Sequence, residues 1–340
     1  MQMGFMFFAR DLGEVREAAR AGEALGYTLM GLGDSPSLAF DPYVGLTLAA
    51  QATGRMRLGP TVTNPQTRHP LIVANLAAAL EHLAPGRSFL GLSPGNSGVR
   101  HAGGRPASLA TLRETVGILR GLLAGGTVSH QGAALHVMGG GLRVPIMIAA
   151  SGPRSLRLAG EIADVVFVNV GFTPDLVRQA MGWVREGSQA AGRDWKTIET
   201  WVFGIGAIAD DAAQALDEAR GAAVAVAAYV LPAYRAAGLL PEEVAGRVDQ
   251  LLGEYQYGEH LTPGRTRNYH LAERLGIAPY LLQRFALAGA PSECLAGVRA
   301  LQAIGVERLC LSYTAGPDLL RYVRLFGERV LPTLRAPGSP

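Results

Sequence analysis

Short apolar runs alternate with longer amphipathic stretches from the first residues almost to the last. Residues 3–8, 28–32, 56–63, 88–93, 145–150, 164–170, 200–208 and 307–312 read as strands. Most are nearly continuously apolar, as strands buried on both faces must be. Residues 12–25, 43–53, 71–83, 108–123, 154–162 and 175–191 place apolar side chains at helical spacing instead. Eight strand-helix alternations predict an α/β fold and favour a closed (β/α)8 barrel (a TIM barrel) over an open doubly wound sheet. The turn after the first strand, Phe7-Phe8-Ala9-Arg10-Asp11, also lacks the G-x-G-x-x-G that lets a backbone approach a pyrophosphate.

Two segments exceed a minimal barrel. Residues 127–131 and 134–137 flank Gly132-Ala133 and read as a hairpin between the fourth helix and fifth strand. A larger insertion over 229–285, between strands seven and eight, is expected to be helical and is interrupted at Pro232, Pro241, Pro263 and Pro279. Its position suits a lid over the C-terminal mouth of a single domain spanning 1–340, and a dimer contact is an equally ordinary use of its apolar helices.

Composition narrows the class. Of 340 residues, 49% are hydrophobic and 17% charged with a net charge of +3, which excludes a disordered chain. The 31 basic residues form no run, so a nucleic-acid partner has no footprint. The N-terminus lacks a signal-peptide pattern, and the longest uncharged stretch, 121–142, is too rich in Gly and polar residues for a membrane span. A soluble cytoplasmic protein is expected. Two separated cysteines and no clustered His, Cys or acidic ligands give no expectation of a metal.

In a barrel of this kind the site forms beyond the strand C-termini. Those ends read Gly33-Asp34-Ser35-Pro36, Pro60-Thr61-Val62-Thr63-Asn64-Pro65, Ser93-Pro94-Gly95-Asn96, Ala149-Ala150-Ser151-Gly152-Pro153 and Asn169-Val170-Gly171. Asp34 is their only acid, and they contain no His. Small side chains and backbone amides suit a flat cofactor or a phosphate better than hydrolytic or metal chemistry. Ser151-Gly152-Pro153 leads into a helix, whose N-terminus either binds an anion or is simply capped. Met6 and Phe8 share one strand face and offer an apolar substrate surface, or ordinary core. His101, Tyr257, His260, Tyr269 and His270 lie where they can reach the mouth.

Residues 59–70 (GPTVTNPQTRHP), 86–96 (GRSFLGLSPGN) and 149–164 (AASGPRSLRLAGEIAD), in that order, resemble the luciferase-like monooxygenase superfamily. The closest motifs are those of its methylenetetrahydromethanopterin reductase branch. The resemblance implies a barrel binding FMN or the deazaflavin coenzyme F-420 at its mouth, with a bulge at Pro60, Thr61 and Val62, often carrying a non-prolyl cis peptide, behind the ring. It places Asp34 and Ser35 beside the ring and Ser93, Gly95 and Asn96 near the ring or ribityl chain. Ala150, Ser151, Gly152 and Pro153 then surround the tail phosphate, with Val168 and Asn169 completing the wall. Arg68 and His69 read as structural.

Two departures bear on chemistry. The reductase branch has an acid where this chain has Met6, and an Asp-His pair where it has Asp34-Ser35. The implied function is an FMN-dependent monooxygenase acting on a small organic substrate, with a separate flavin reductase supplying the reduced cofactor. The alternatives are an F-420-dependent reductase or dehydrogenase working by hydride transfer, to which Pro94 in place of an Arg found in FMN-binding members points, and a non-catalytic flavin-binding subunit. A homo-oligomer is expected.

Overall fold

The apolar runs form parallel strands in the computed structural model, which describes residues 1–334 except Pro263, Ala315 and Pro317. In chain order the strands are β1 (Gln2–Phe7), β2 (Leu29–Leu32), β3 (Arg57–Pro60), β4 (Leu90–Leu92), β5 (Val128–His130), β6 (Ala133–Leu135), β7 (Ile146–Ala150), β8 (Val165–Val168), β9 (Glu199–Ile208), β10 (Ala286–Gly289) and β11 (Arg308–Ser312). Eight of them pair in the order β3-β2-β1-β11-β9-β8-β7-β4. Isolated parallel bridges Leu58–Ser88 and Thr63–Leu92 join the two ends and close the barrel.

The pleat sends alternate residues to opposite faces. Met6, Leu29, Phe89, Met147, Val165, Phe167, Trp201 and Cys310 fill the barrel interior as one buried cluster. Their neighbours along the strands, such as Phe5, Phe7, Val166 and Val168, join the larger core beneath the surrounding helices. Helix ends follow local chemistry: Asp11 accepts from Gly13 N at 2.7 Å to start Leu12–Leu25, and Gly26 ends it at φ 93°.

Three expectations are corrected. Gln131 and Gly132 both have positive φ, so they form the hairpin turn while Ala133 pairs with His130 in β6. A ninth strand of the main sheet, β10, pairs with the outer half of β9; its sequence Ala-Leu-Ala-Gly carries no strand signal. The insertion has no boundary at Tyr229, because the helix Ala212–Ala236 runs through both Tyr229 and Pro232. Burial of Val224, Ala227, Leu231 and Tyr234 on that helix outweighs the one hydrogen bond Pro232 removes. Helices Glu242–Glu254, Arg267–Arg274 and Ala278–Phe285 follow, with Pro241 and Pro279 starting helices and Pro263 outside the described residues. Among the described residues no helix is long and apolar enough to cross a membrane.

The seam between β3 and β4 is unusually close. A Cβ on Gly59 would lie 2.2 Å from the Phe89 carbonyl oxygen, and one on Gly91 would lie 2.2 Å from that of Pro60. Gly91→Ala is therefore expected to cost roughly 1–3 kcal/mol or more through overpacking, whereas Gly117→Ala, a helical position with open space around it, should be neutral or stabilising. Urea unfolding of the two variants checks the contrast.

Candidate active site

Above the interior cluster, at the strand C-termini, lies a cavity of about 410 Å³. Met6 and Phe8 from β1 and its loop, Phe167 from β8, and Phe203 and Ile205 from β9 form its apolar side. Thr61 and Val62 form another wall, and the peptide between them is cis, as the family resemblance implies. Ser93, Gly95 and Asn96 line the opening after β4, and Gly95 needs the left-handed backbone, with φ 94°. Ala150 ends β7, Ser151 follows it, and Asn169 follows β8. Tyr257, His260 and Leu261 roof the cavity from the insertion.

Asp34 also lines the cavity, but its charge is spent. Arg68 Nε donates to its Oδ2 at 2.8 Å and Arg68 Nη2 to its Oδ1 at 3.0 Å, while Thr63 Oγ1 donates to Oδ2 at 2.7 Å. The same guanidinium reaches Asp41 at 2.8 Å, and hydrogen bonding to Asp34 foremost strengthens its hold on its proton. Arg68 arrives there because Asn64 Oδ1 accepts from the Gln66 and Thr67 amides and turns the chain after β3. His69 caps the next helix through Leu71 N, so of the pair read as structural Arg68 is the one that reaches the site.

Several expected residues stand off the cavity wall. Val168 faces the helices because Phe167 and Asn169 face inward, and adjacent strand residues cannot share a face. Pro60 packs against Gly91 across the seam, and Ser35 lies buried beneath Gly98. Gly152 meets the helix Ala212–Ala236, where a Cβ would lie 2.7 Å from that of Ala233, and Pro153 opens its own helix. Ser155 Oγ, on the cavity wall, accepts from the Ser151 and Gly152 amides, so those N–H groups are engaged within the turn. His101 holds the roof from outside, with Nε2 2.9 Å from the Tyr257 carbonyl oxygen. Tyr269 donates to Asp217, and His270 is exposed beside Glu273.

Other wall residues were missed. Tyr229, whose hydroxyl accepts from Asn169 Nδ2 at 2.9 Å, sits on a helix assigned to the insertion. Arg100 stacks over the Tyr257 ring at 4.6 Å and donates to Asn96 Oδ1 at 3.2 Å. Phe203 and Ile205 were legible in principle, since they alternate along β9.

The roof histidine is almost wholly buried. Its Nδ1 lies 2.6 Å from the Tyr255 hydroxyl, and burial, with His101 and Arg100 nearby, lowers its pKa to about 4. His260 is thus neutral at pH 7.

The wall fits a flavin-type ring with an anionic tail. The one carboxylate is neutralised, Arg100 leaves a positive charge at the opening, and Asn169 Oδ1 is a buried acceptor without a partner among the described residues. Ser93, Asn96 and Ser151 offer hydroxyl and amide groups to a ribityl phosphate.

Fold and cavity together define a (β/α)8 barrel with an open cavity at its C-terminal mouth. Residues 2–308 match the family model for luciferase-like monooxygenases, and the chain belongs to that family. It is 29% identical over 303 residues to a 5,10-methylenetetrahydromethanopterin reductase of Methanolobus tindarius, covering 86% of this chain and 87% of the relative. It is also 29% identical over 308 residues to an F420-dependent glucose-6-phosphate dehydrogenase of Nakamurella multipartita, covering 87% and 82%. The solved coenzyme F420-dependent tetrahydromethanopterin reductase of Methanopyrus kandleri superposes with a TM-score of 0.79 at 22% identity, covering 98% of this chain and all of that one.

Two outcomes follow from the charges. Arg68→Met should destabilise the fold by about 3–5 kcal/mol by leaving Asp34 buried and unpaired, and adding Asp34→Asn should restore part of that loss in urea unfolding. For His260, the folded pKa of about 4 lies below the unfolded value near 6.5, so the unfolded state takes up the extra proton and stability falls as pH drops from about 6.5 toward 4. Between pH 7 and 4.5 the wild type should lose roughly 2 kcal/mol more than His260→Asn, measured by urea unfolding at both pH values.

Proposed function

We propose that this protein is an F-420-dependent oxidoreductase that moves a hydride between the deazaflavin and a small uncharged organic substrate. The observation that carries this reading is the cavity itself: a flat wall at Thr61 and Val62, a polar opening, an apolar inner side and no carboxylate free for proton transfer. Relatives named for F420 across more than four-fifths of the chain support the deazaflavin over FMN, and Pro94 on the wall gives FMN no arginine there. The FMN-dependent oxygenation expected first from the sequence uses no residue of this cavity that the deazaflavin reading leaves unused.

F-420 supplies a two-electron hydride when bound. The chain supplies position and shelter. Thr61 and Val62 back the ring, Asn169 meets its edge, and Ser93, Asn96 and Ser151 hold the tail with Arg100 as counter-charge. Met6 in place of an acid makes the branch's pterin reduction a poor match and leaves an apolar substrate pocket. The segment from Tyr255 to Leu261 excludes water from above, tied down by His101 and by Arg10, whose Nη2 donates to the Leu261 carbonyl at 2.8 Å.

Fluorescence titration tests the cofactor. F-420 should bind at least about tenfold more tightly than FMN, a difference of about 1.4 kcal/mol, and Arg100→Ala should weaken F-420 binding with a shallower salt dependence. Tighter binding of FMN, or binding of neither, would overturn the assignment.

A further inference from the structure

We propose that Tyr229 and His260 bind the oxygen atom of the substrate and that Tyr229 exchanges its hydroxyl proton with that oxygen, which makes the substrate pair a ketone and its secondary alcohol. The assignment rests on the hydride-transfer reading above.

Tyr229 stands on the helix Ala212–Ala236, and its oxygen accepts from Asn169 Nδ2 at 2.9 Å, with both residues on the cavity wall. No described residue accepts the phenol's own proton, which leaves it for a ligand in the cavity. Asn169 does more than hold the ring: its N–H stabilises a phenolate should the proton leave.

His260 supplies the second donor. The Tyr255 hydroxyl, 2.6 Å from Nδ1, has no other acceptor among the described residues, so its O–H donates to Nδ1. The neutral imidazole then carries its proton on Nε2. That nitrogen has no protein partner among the described residues and is not occluded, so it opens onto the cavity. The Tyr229 and His260 rings lie 6.4 Å apart at 60°, on the same side of the cavity.

With Asn169 Oδ1 turned to the ring edge, the two donors on this wall select a group that accepts: a carbonyl oxygen, or the alkoxide that develops from it. The rest of the cavity excludes charged alternatives. A cation finds its only carboxylate already paired with Arg68, and an anion is held at the opening by Arg100 rather than drawn inside. Met6, Phe8, Phe203 and Ile205 accept carbon substituents on both sides of the carbonyl.

In the direction of reduction, the carbonyl carbon gains a hydride, with both its electrons, from reduced F-420. The C=O π pair moves onto oxygen, the oxygen takes the Tyr229 proton, and the resulting phenolate is reprotonated by water. Alcohol oxidation reverses each movement. Tyr229 is therefore a catalytic residue, His260 a second oxygen ligand, and Tyr255 and Asn169 position them.

The test uses enzyme loaded with oxidised F-420 and cyclopentanone labelled with ¹³C at the carbonyl. Infrared difference spectra should show a carbonyl stretch lowered by hydrogen bonding, and the band should move to higher frequency in both Tyr229→Phe and His260→Phe. Ketone binding should weaken roughly three- to tenfold in each variant, as expected for one lost hydrogen bond, while the F-420 Kd stays within about twofold by the same criterion. With reduced F-420, Tyr229→Phe should lower kcat by about 100-fold or more, and His260→Phe should act mainly on KM. Tyr255→Phe, which keeps both donors' side chains but releases the imidazole proton from Nε2, should produce an intermediate band shift; it serves as the measurement if either other variant fails to fold. An unmoved carbonyl band in the folded variants would overturn the proposal. So would wild-type enzyme that binds F-420 yet neither binds nor reduces acetone, cyclopentanone or acetophenone. Failure of F-420 to bind in the absence of ketone would instead remove the function proposed above.

Discussion

Thr63 holds together the two parts of the molecule that matter for function. Its amide donates to the Gly91 carbonyl at 3.0 Å and its carbonyl accepts from Ser93 N at 3.1 Å, which closes the barrel between β3 and β4. Its hydroxyl donates to Asp34, the carboxylate that Arg68 neutralises. Barrel closure and the charge state of the site are therefore set at one fully buried residue. Between the two bridges of the seam the ladder is interrupted, and there the chain carries Thr61 and Val62 to the cavity wall. Gly59 and Gly91 make the close approach possible, because no side chain fits between the strands at those points.

What the cavity can do follows from what its residues are already doing. Asp34 is the acid that the strand ends advertise, yet a bidentate ion pair with Arg68 commits its carboxylate and leaves it no charge to offer. Donor capacity passes to Tyr229, Asn169 and His260, which meet on the cavity wall. Asn169 follows β8, Tyr229 stands on the long helix after β9 and His260 comes from the insertion, so the second donor is present only once the insertion has folded onto the mouth. Arg220 and Arg265, working with Tyr269, Asp217 and Glu273, secure the insertion to that helix at a distance from the cavity.

Periodicity made most of the barrel legible. The helix at 12–25 was read to its last residue, and the strand ends at Asp34, Thr61, Ser93 and Ser151 all reach the cavity, because strong apolar alternation and sharp turn chemistry dominate locally. Where the reading failed, tertiary packing had overridden a local signal. Pro232 looked like a helix end but lies in a helix stabilised by its buried face. Val168 and Asn169 were grouped as one wall, whereas the pleat separates them. Ser35 and Gly152 carry the right motif yet spend their positions on packing. Tyr229 could not be found from motifs, since its place on the wall depends on a helix register that only the folded barrel sets. Arg68 was visible in the sequence, but its reach back to Asp34 depends on the turn made by Asn64.

Transfer of a labelled hydrogen distinguishes the deazaflavin reading from oxygenation most directly. Reduced F-420 carrying deuterium at C5 should deliver it to the carbinol carbon of the product formed from cyclopentanone, equally well under nitrogen and in air. A product without deuterium, or one that gains oxygen-18 from labelled dioxygen, would contradict hydride transfer as the chemistry of this cavity.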